Sequence, residues 1–153
     1  MGYYESYFGG ELFRFIGNFV AAHTLGLTHT ADALFRLAPH LIRVPDIAFV
    51  SWDRLPGGRV LQTRIADLVP DLAVEVLSRS NTREEMEGKL RDYFGAGVRL
   101  VWYVYPVQRE VHVFRSAEDC AVLRDGDTLE GGDVLPGFSL SLTTFFNSGV
   151  RPE

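Results

Sequence analysis

The sequence predicts one α/β domain built around a mixed β-sheet, and three observations carry that reading. Leu72-Ala73-Val74-Glu75-Val76-Leu77 and Arg99–Tyr105 are nearly unbroken apolar, β-branched or aromatic runs, the pattern of strands covered on both faces. Between them the capping cluster Ser78-Arg79-Ser80-Asn81-Thr82 opens a helical stretch that Gly95 and Gly97 close. Strand, helix and strand in that order form a right-handed parallel crossover. Beyond Pro106, Glu110–Arg115 sets Val111 and Val113 against His112 and Phe114, an alternation that predicts an antiparallel neighbour.

The remaining elements follow along the chain. Phe8, Leu12, Phe15, Ile16, Phe19 and Val20 recur at helical spacing and predict an amphipathic helix from about Glu5 to His23. Gly9 and Gly10 weaken its first half by about 1 kcal/mol each relative to alanine. Short extended segments are expected near Leu27–His29 and Ala33–Leu37, then a strand over Val44–Val50. From Ser51 to Pro70, Pro56-Gly57-Gly58 and several arginines mark a long connection of the functional-loop kind. Thr82 with Glu85, or Asn81 with Glu84, fits a capping box for a helix from Arg83 to Phe94. Ala121–Arg124 and Thr128–Glu130 flank Asp125-Gly126, a hairpin signal. Pro136-Gly137 interrupts the chain, and Leu142–Phe146 is expected to end it as a short helix.

Residues 1–153 suffice for a single core, and 46% hydrophobic with 23% charged residues is ordinary for a globular chain. No run approaches the roughly twenty apolar residues of a membrane span, so no membrane partner is expected. The start, Met1-Gly2-Tyr3-Tyr4-Glu5, lacks the pattern of a secretory signal. Cys120 is the only cysteine and reads as a buried thiol in a reducing cytoplasm. The net charge is −5 and Lys89 is the one lysine, which counts against non-specific nucleic-acid binding by a monomer. A local positive groove remains compatible with that balance.

Two acids stand out. Glu75 interrupts an otherwise apolar strand, and Asp46 does the same in Val44-Pro45-Asp46-Ile47-Ala48-Phe49-Val50. A buried carboxylate is costly unless a cation or several donors meet it. Alternation puts Glu75 on one face with Ala73 and Leu77. Lys89 lies on the margin of the helix stripe Met86, Leu90, Tyr93 and Phe94, within reach of that face. Two acids with a lysine suit a divalent metal that neutralises a scissile phosphate and activates water. The lysine orients or deprotonates that water, or stabilises developing charge. Asp71 reads instead as a strand start, and His23, His29, His40 and His112 lack the spacing of zinc ligands. Trp52, in the long loop, is a packing residue or a base-stacking one.

The same residues, read in series, resemble the Uma2 family of restriction endonucleases, a domain long of unknown function within the PD-(D/E)XK nuclease superfamily. The matching segments are Val44–Val50, Pro70–Ser78, Ser80-Asn81-Thr82, Lys89, Tyr93, Gly97-Val98, Val101-Trp102, and Gly126–Leu129 to Leu135–Phe138. The resemblance implies a restriction-endonuclease-like α/β fold with a central mixed sheet flanked by helices. It makes Asp46 the acid of the PD motif and Glu75 the acid of the ExK motif. The motif's lysine would fall at Leu77, and Lys89 on the next helix is its migrated counterpart. Relative to the family the chain is short at its N-terminus, and the first-helix acid of the superfamily corresponds to Glu5 or Glu11.

The expectation is therefore a Mg²⁺-dependent endonuclease, with Mn²⁺ as a substitute, that hydrolyses DNA phosphodiesters. Asp46, Glu75 and the Val76 carbonyl hold the metal and Lys89 assists the water. A homodimer is expected to cover a hydrophobic edge or face and to present two sites to a duplex. Two rivals stand beside it: a non-catalytic nuclease-fold module that binds nucleic acid or protein, and a hydrolase of another phosphate ester.

Overall fold

The computed structural model describes Met1–Glu153. Helix α1 spans Tyr3–His23 and is followed by strands β1 (Gly26–His29), β2 (Leu34–Ala38), β3 (Leu41–Arg43) and β4 (Ile47–Ser51). Then come β5 (Ile65–Ala66), β6 (Leu72–Val76), α2 (Arg83–Ala96), β7 (Leu100–Tyr105) and β8 (Glu110–Phe114). The chain ends with β9 (Cys120–Leu123), β10 (Thr128–Glu130), β11 (Ser139–Ser141) and α3 (Leu142–Asn147).

Six strands form the central sheet in the order β1-β4-β6-β7-β8-β9. Only β6 and β7 run parallel, joined by α2 as the crossover; their neighbours are antiparallel, so the sheet is mixed. One face carries Ile47, Phe49, Val74, Trp102 and Val111 against the α1 stripe Phe8, Leu12, Ile16 and Val20. The β10–β11 pair and α3 complete that layer through Leu129, Leu140 and Phe145. The other face carries Ala48, Ala73, Val101 and Tyr103 beneath Met86, Leu90 and Tyr93 of α2 and Phe35 of the small β3-β2-β5 sheet.

Local signals hold α2 in place. Thr82 Oγ1 accepts the Glu85 N–H at 3.1 Å, while Asn81 Oδ1 instead takes the Ser78 N–H at 3.0 Å. Gly97, at φ 106°, ends the helix in the left-handed region that glycine tolerates.

The structure corrects two expectations. The Asp125-Gly126 turn does not close a hairpin: β9 pairs with β8, and β10 pairs with β11. Leu129 explains the departure, because its fully buried side chain belongs to the layer under α1 and the turn carries the chain there. Cys120 is exposed on the edge strand β9 instead of buried. The loop after β4 is more ordered than its composition suggests, with two 3-10 turns and a β5 that pairs parallel with β2. Trp52 in that loop donates its indole N–H to the Thr24 carbonyl at 3.0 Å, a clasp on the end of α1. No helix is long and apolar enough to cross a membrane.

Candidate active site

The register between β4 and β6 pairs Ile47 with Val74, Ala48 with Ala73 and Phe49 with Leu72. One more step sets Asp46 across from Glu75 and Pro45 across from Val76. Glu75 lies on the face of Ala73 and Leu77 that α2 covers, and Asp46, just ahead of β4, acts on both Glu75 and Lys89. The paired residues of β4 stop at Ile47, and beyond them the Asp46 side chain supplies the acceptor: its Oδ2 accepts the Val76 N–H at 2.7 Å. Leu77 N–H, by contrast, bonds the Val104 carbonyl of β7 at 2.8 Å. Amide directions alternate along a strand, so the Val76 carbonyl, like its N–H, faces the Asp46 side.

Glu75 is 4% exposed. Tyr93 Oη donates to its Oε1 at 2.6 Å, and Lys89 Nζ lies 3.7 Å from the same oxygen. That second distance is an ion pair, beyond direct hydrogen bonding. Lys89 and Tyr93 are four residues apart on α2, so one helical turn delivers both groups to one carboxylate.

Burial pushes the Glu75 carboxyl up to about 7, against the opposing pull of Lys89 and the Tyr93 hydroxyl, and the Asp46 charge adds to the rise. Burial also raises Asp46, offset by the Val76 N–H, Lys89 and the chain's amino terminus. Burial, and then the Glu75 charge, push the Tyr93 hydroxyl well above its ordinary value, so it stays a proton donor. Burial and the neighbouring Asp46 charge thus both favour the protonated form of Glu75.

The site opens on two sides. A cavity of about 180 Å³ beside Asp46 is walled by Ser6, Gly9, Gly10 and Phe13 of α1. A wholly polar groove of about 490 Å³ contains Lys89 together with Arg43 and Arg91. Arg43 is also ion-paired with Asp92, the neighbour of Tyr93.

Asp46, Glu75, Val76 and Lys89 are thus brought together. Glu5 and Glu11 are not among the residues lining the Asp46 cavity. Glu5 lies against Gly2, and Glu11 binds Arg14 through both oxygens, at 2.8 and 3.2 Å. No group of three or more His, Cys, Asp or Glu side chains is placed to hold a metal. What the site offers is two carboxylates and a main-chain carbonyl, the hard oxygen donors that Mg²⁺-type ions take while keeping waters. Sequence reasoning missed the role of Tyr93, placed in the apolar stripe of α2. Its signal was its position, one turn after the single lysine and on the face turned to Glu75.

No curated protein matches the chain. Among solved structures, one described as "a putative nuclease belonging to DUF820", from Anabaena variabilis ATCC 29413, has the same fold, with a TM-score of 0.82. The two are 19% identical, and the match covers 96% of this chain and 82% of that one. The family model Uma2, described as "Putative restriction endonuclease", matches residues 3–143. With nearly its whole length matched and a restriction-endonuclease-like sheet carrying paired acids, the chain belongs to the Uma2 family.

Proposed function

We propose that this chain works as one metal-dependent endonuclease domain that hydrolyses DNA phosphodiester bonds. The observation that carries the reading is the meeting of the Asp46 and Glu75 carboxylates, with Lys89 Nζ 3.7 Å from Glu75. Restriction-endonuclease-like families generally use divalent metals. Asp46, Glu75 and the Val76 carbonyl would hold Mg²⁺, or Mn²⁺ in its place. A cation held there supplies charge neutralisation at the scissile phosphate and a more acidic water.

The chain's own residues do the rest. The Val76 N–H fixes Asp46 through Oδ2. Lys89, half-buried in the polar groove, is placed to hold a water in line and to move its proton. Arg43 and Arg91 stand with Lys89 in that groove against Glu84 and Glu85, a small local excess of positive charge in a chain of net −5. A free, exposed Cys120 accords with a reducing, cytoplasmic setting. Exposed Tyr3, Tyr4 and Tyr7 offer a surface for a homodimer, which sedimentation at micromolar concentration tests.

The deciding experiment incubates pure protein with plasmid and oligonucleotides in Mg²⁺, in Mn²⁺ and with chelator. Cleavage that chelation and Asp46→Ala both remove is the expected result. Intact single- and double-stranded DNA and RNA under both metals would overturn the nuclease. The acidic balance of the chain favours one alternative, a non-catalytic binding module on the same fold. That module forecasts no metal-dependent cleavage and binding indifferent to Asp46, Glu75 and Lys89.

A further inference from the structure

The two acids of the site are restrained in the same way. Both contacts that α2 makes with Glu75 fall on Oε1, from Tyr93 Oη at 2.6 Å and Lys89 Nζ at 3.7 Å. The main-chain contact to Asp46 falls on Oδ2 alone, from the Val76 N–H at 2.7 Å. Each carboxylate is thus held through one oxygen by its nearest donor, and the two acids also act on each other. Tyr93 is fully buried, and a phenol donates only one proton, so Glu75 receives it undivided. Tyr103 stands beside Glu75 in the β6–β7 register, but its hydroxyl goes to the Met86 carbonyl at 2.6 Å. Two buried tyrosines thus flank one glutamate, and only one of them holds it.

We infer that Tyr93 is a positioning residue that makes Glu75 a one-oxygen ligand, and so tunes the site to small octahedral cations; this rests on the metal-site reading above. Mg²⁺ takes one oxygen from each carboxylate at about 2.0–2.1 Å in strict octahedral geometry, whereas Ca²⁺, at about 2.3–2.6 Å, accepts both oxygens of one carboxylate. A glutamate whose Oε1 already accepts from Tyr93 is held in one orientation, which favours ligation through Oε2 alone over the symmetric two-oxygen mode. Without the hydroxyl, the carboxylate is free to turn about its last torsion and to present two oxygens.

Tyr93→Phe removes the hydroxyl and little else, and Tyr103→Phe removes one of similar burial that touches no acid. Calorimetric titration of each with Mg²⁺, Mn²⁺ and Ca²⁺, without nucleic acid, reads the effect directly. Tyr93→Phe should weaken Mg²⁺ and Mn²⁺ by about 10–100-fold, the usual range for losing a group that orients a ligand. Ca²⁺ affinity should hold or rise, so the Mg²⁺-to-Ca²⁺ ratio falls at least about tenfold. Tyr103→Phe should leave the ratio as in the wild type. An unchanged ratio in Tyr93→Phe, or an equal fall in both variants, overturns the positioning role. A second measurement needs neither tyrosine variant. The carboxylate infrared bands of the Mg²⁺-bound wild type, assigned by difference from Glu75→Gln, should show the wide splitting of one-oxygen ligation. A narrow, two-oxygen splitting overturns the proposal. Divalent binding that Asp46→Ala abolishes, alongside an unchanged ratio in Tyr93→Phe, sinks the positioning role alone. Wild-type protein with no saturable divalent binding sinks the metal-site reading with it.

Discussion

Asp71 and Glu75 lie at opposite ends of the same buried strand, 2% and 4% exposed, and the chain treats them in opposite ways. Asp71 is saturated. Its Oδ2 takes the Ser51 N–H at 2.7 Å, and its Oδ1 faces Arg54 at 3.2 Å and Arg99 at 3.6 Å. Its own main chain binds Phe49 on one side and Arg99 and Leu100 on the other, stitching β4, β6 and β7 together. Glu75 has one hydroxyl and one lysine at 3.7 Å, both on one oxygen, with a second acid in front of it. A buried acid that serves the fold is surrounded until nothing is left to bind. On the proposed reading, an acid that serves chemistry is left short of partners, as Glu75 is.

The largest effect that separates the two ends concerns cleavage. On the proposed reading, Asp46→Ala and Glu75→Ala should each lower cleavage by at least about 10⁴-fold, several kcal/mol of lost transition-state stabilisation. Both should still melt cooperatively, because each removes a crowded charge. Lys89→Ala should cost about 10²–10⁴-fold in rate, the range for a positioned acid–base group, and leave divalent binding measurable by calorimetry. Asp71→Ala should invert this pattern. It strands the Ser51 amide and removes the carboxylate that faces Arg54 and Arg99, so denaturant unfolding should show a loss of about 1–3 kcal/mol, with cleavage per folded molecule retained. Cleavage lost in Asp71→Ala at full stability would erase the contrast between the two ends.

A pH titration sharpens the same contrast at smaller cost. In the metal-free protein the Glu75 carboxyl is raised from 4.5 to about 7, so the folded state holds its proton more tightly than the unfolded chain does. That stabilisation is complete below 4.5 and is lost as pH rises through about 7. Its full extent is on the order of 3 kcal/mol. Unfolding free energies measured between those limits should fall with rising pH in the wild type and stay nearly flat in Glu75→Gln. Saturating divalent cation should restore the lost stability at pH above 7. A wild-type profile as flat as that of Glu75→Gln would mean that the fold compensates the Glu75 charge in full.

Most of this architecture is legible in the sequence, for definable reasons. The apolar runs of β6 and β7 and the Thr82 cap belong to buried strands and helix ends, where local chemistry and final environment agree. Glu75 and Asp46 stand out because a charge in such a run has no local explanation. The Asp125-Gly126 turn misleads because its neighbours serve different layers, and burial of Leu129 outweighs the local hairpin preference. Trp52 has its partner 28 residues away, and Arg43 pairs with Asp92 across 49. No local pattern announces such contacts. Tyr93 escapes notice because a tyrosine in an apolar stripe looks like packing, and only the fold shows where its hydroxyl goes.

The smallest effect comes from two glycines that repeat the contrast between site and scaffold. Gly10 sits inside α1 on the wall of the Asp46 cavity, and a Cβ built there meets nothing within 4 Å. No fold requirement therefore keeps it a glycine, and helix propensity argues against one. Gly131, beside β10, is different: a Cβ there would lie 2.3 Å from the Leu135 carbonyl oxygen, inside any tolerable contact. Gly10→Ala should raise stability by about 0.5–1 kcal/mol through lower backbone entropy in the unfolded chain. Gly131→Ala should lower it by about 1–3 kcal/mol, since the turn must shift to admit the methyl. Thermal melts of the two variants read opposite signs from the same one-carbon change. A gain at Gly10 would mean that the chain forgoes available stability on the wall of its open site, as it leaves Glu75 short of partners. A loss there would show instead that α1 needs the glycine for packing, and the open wall would then be incidental to the site.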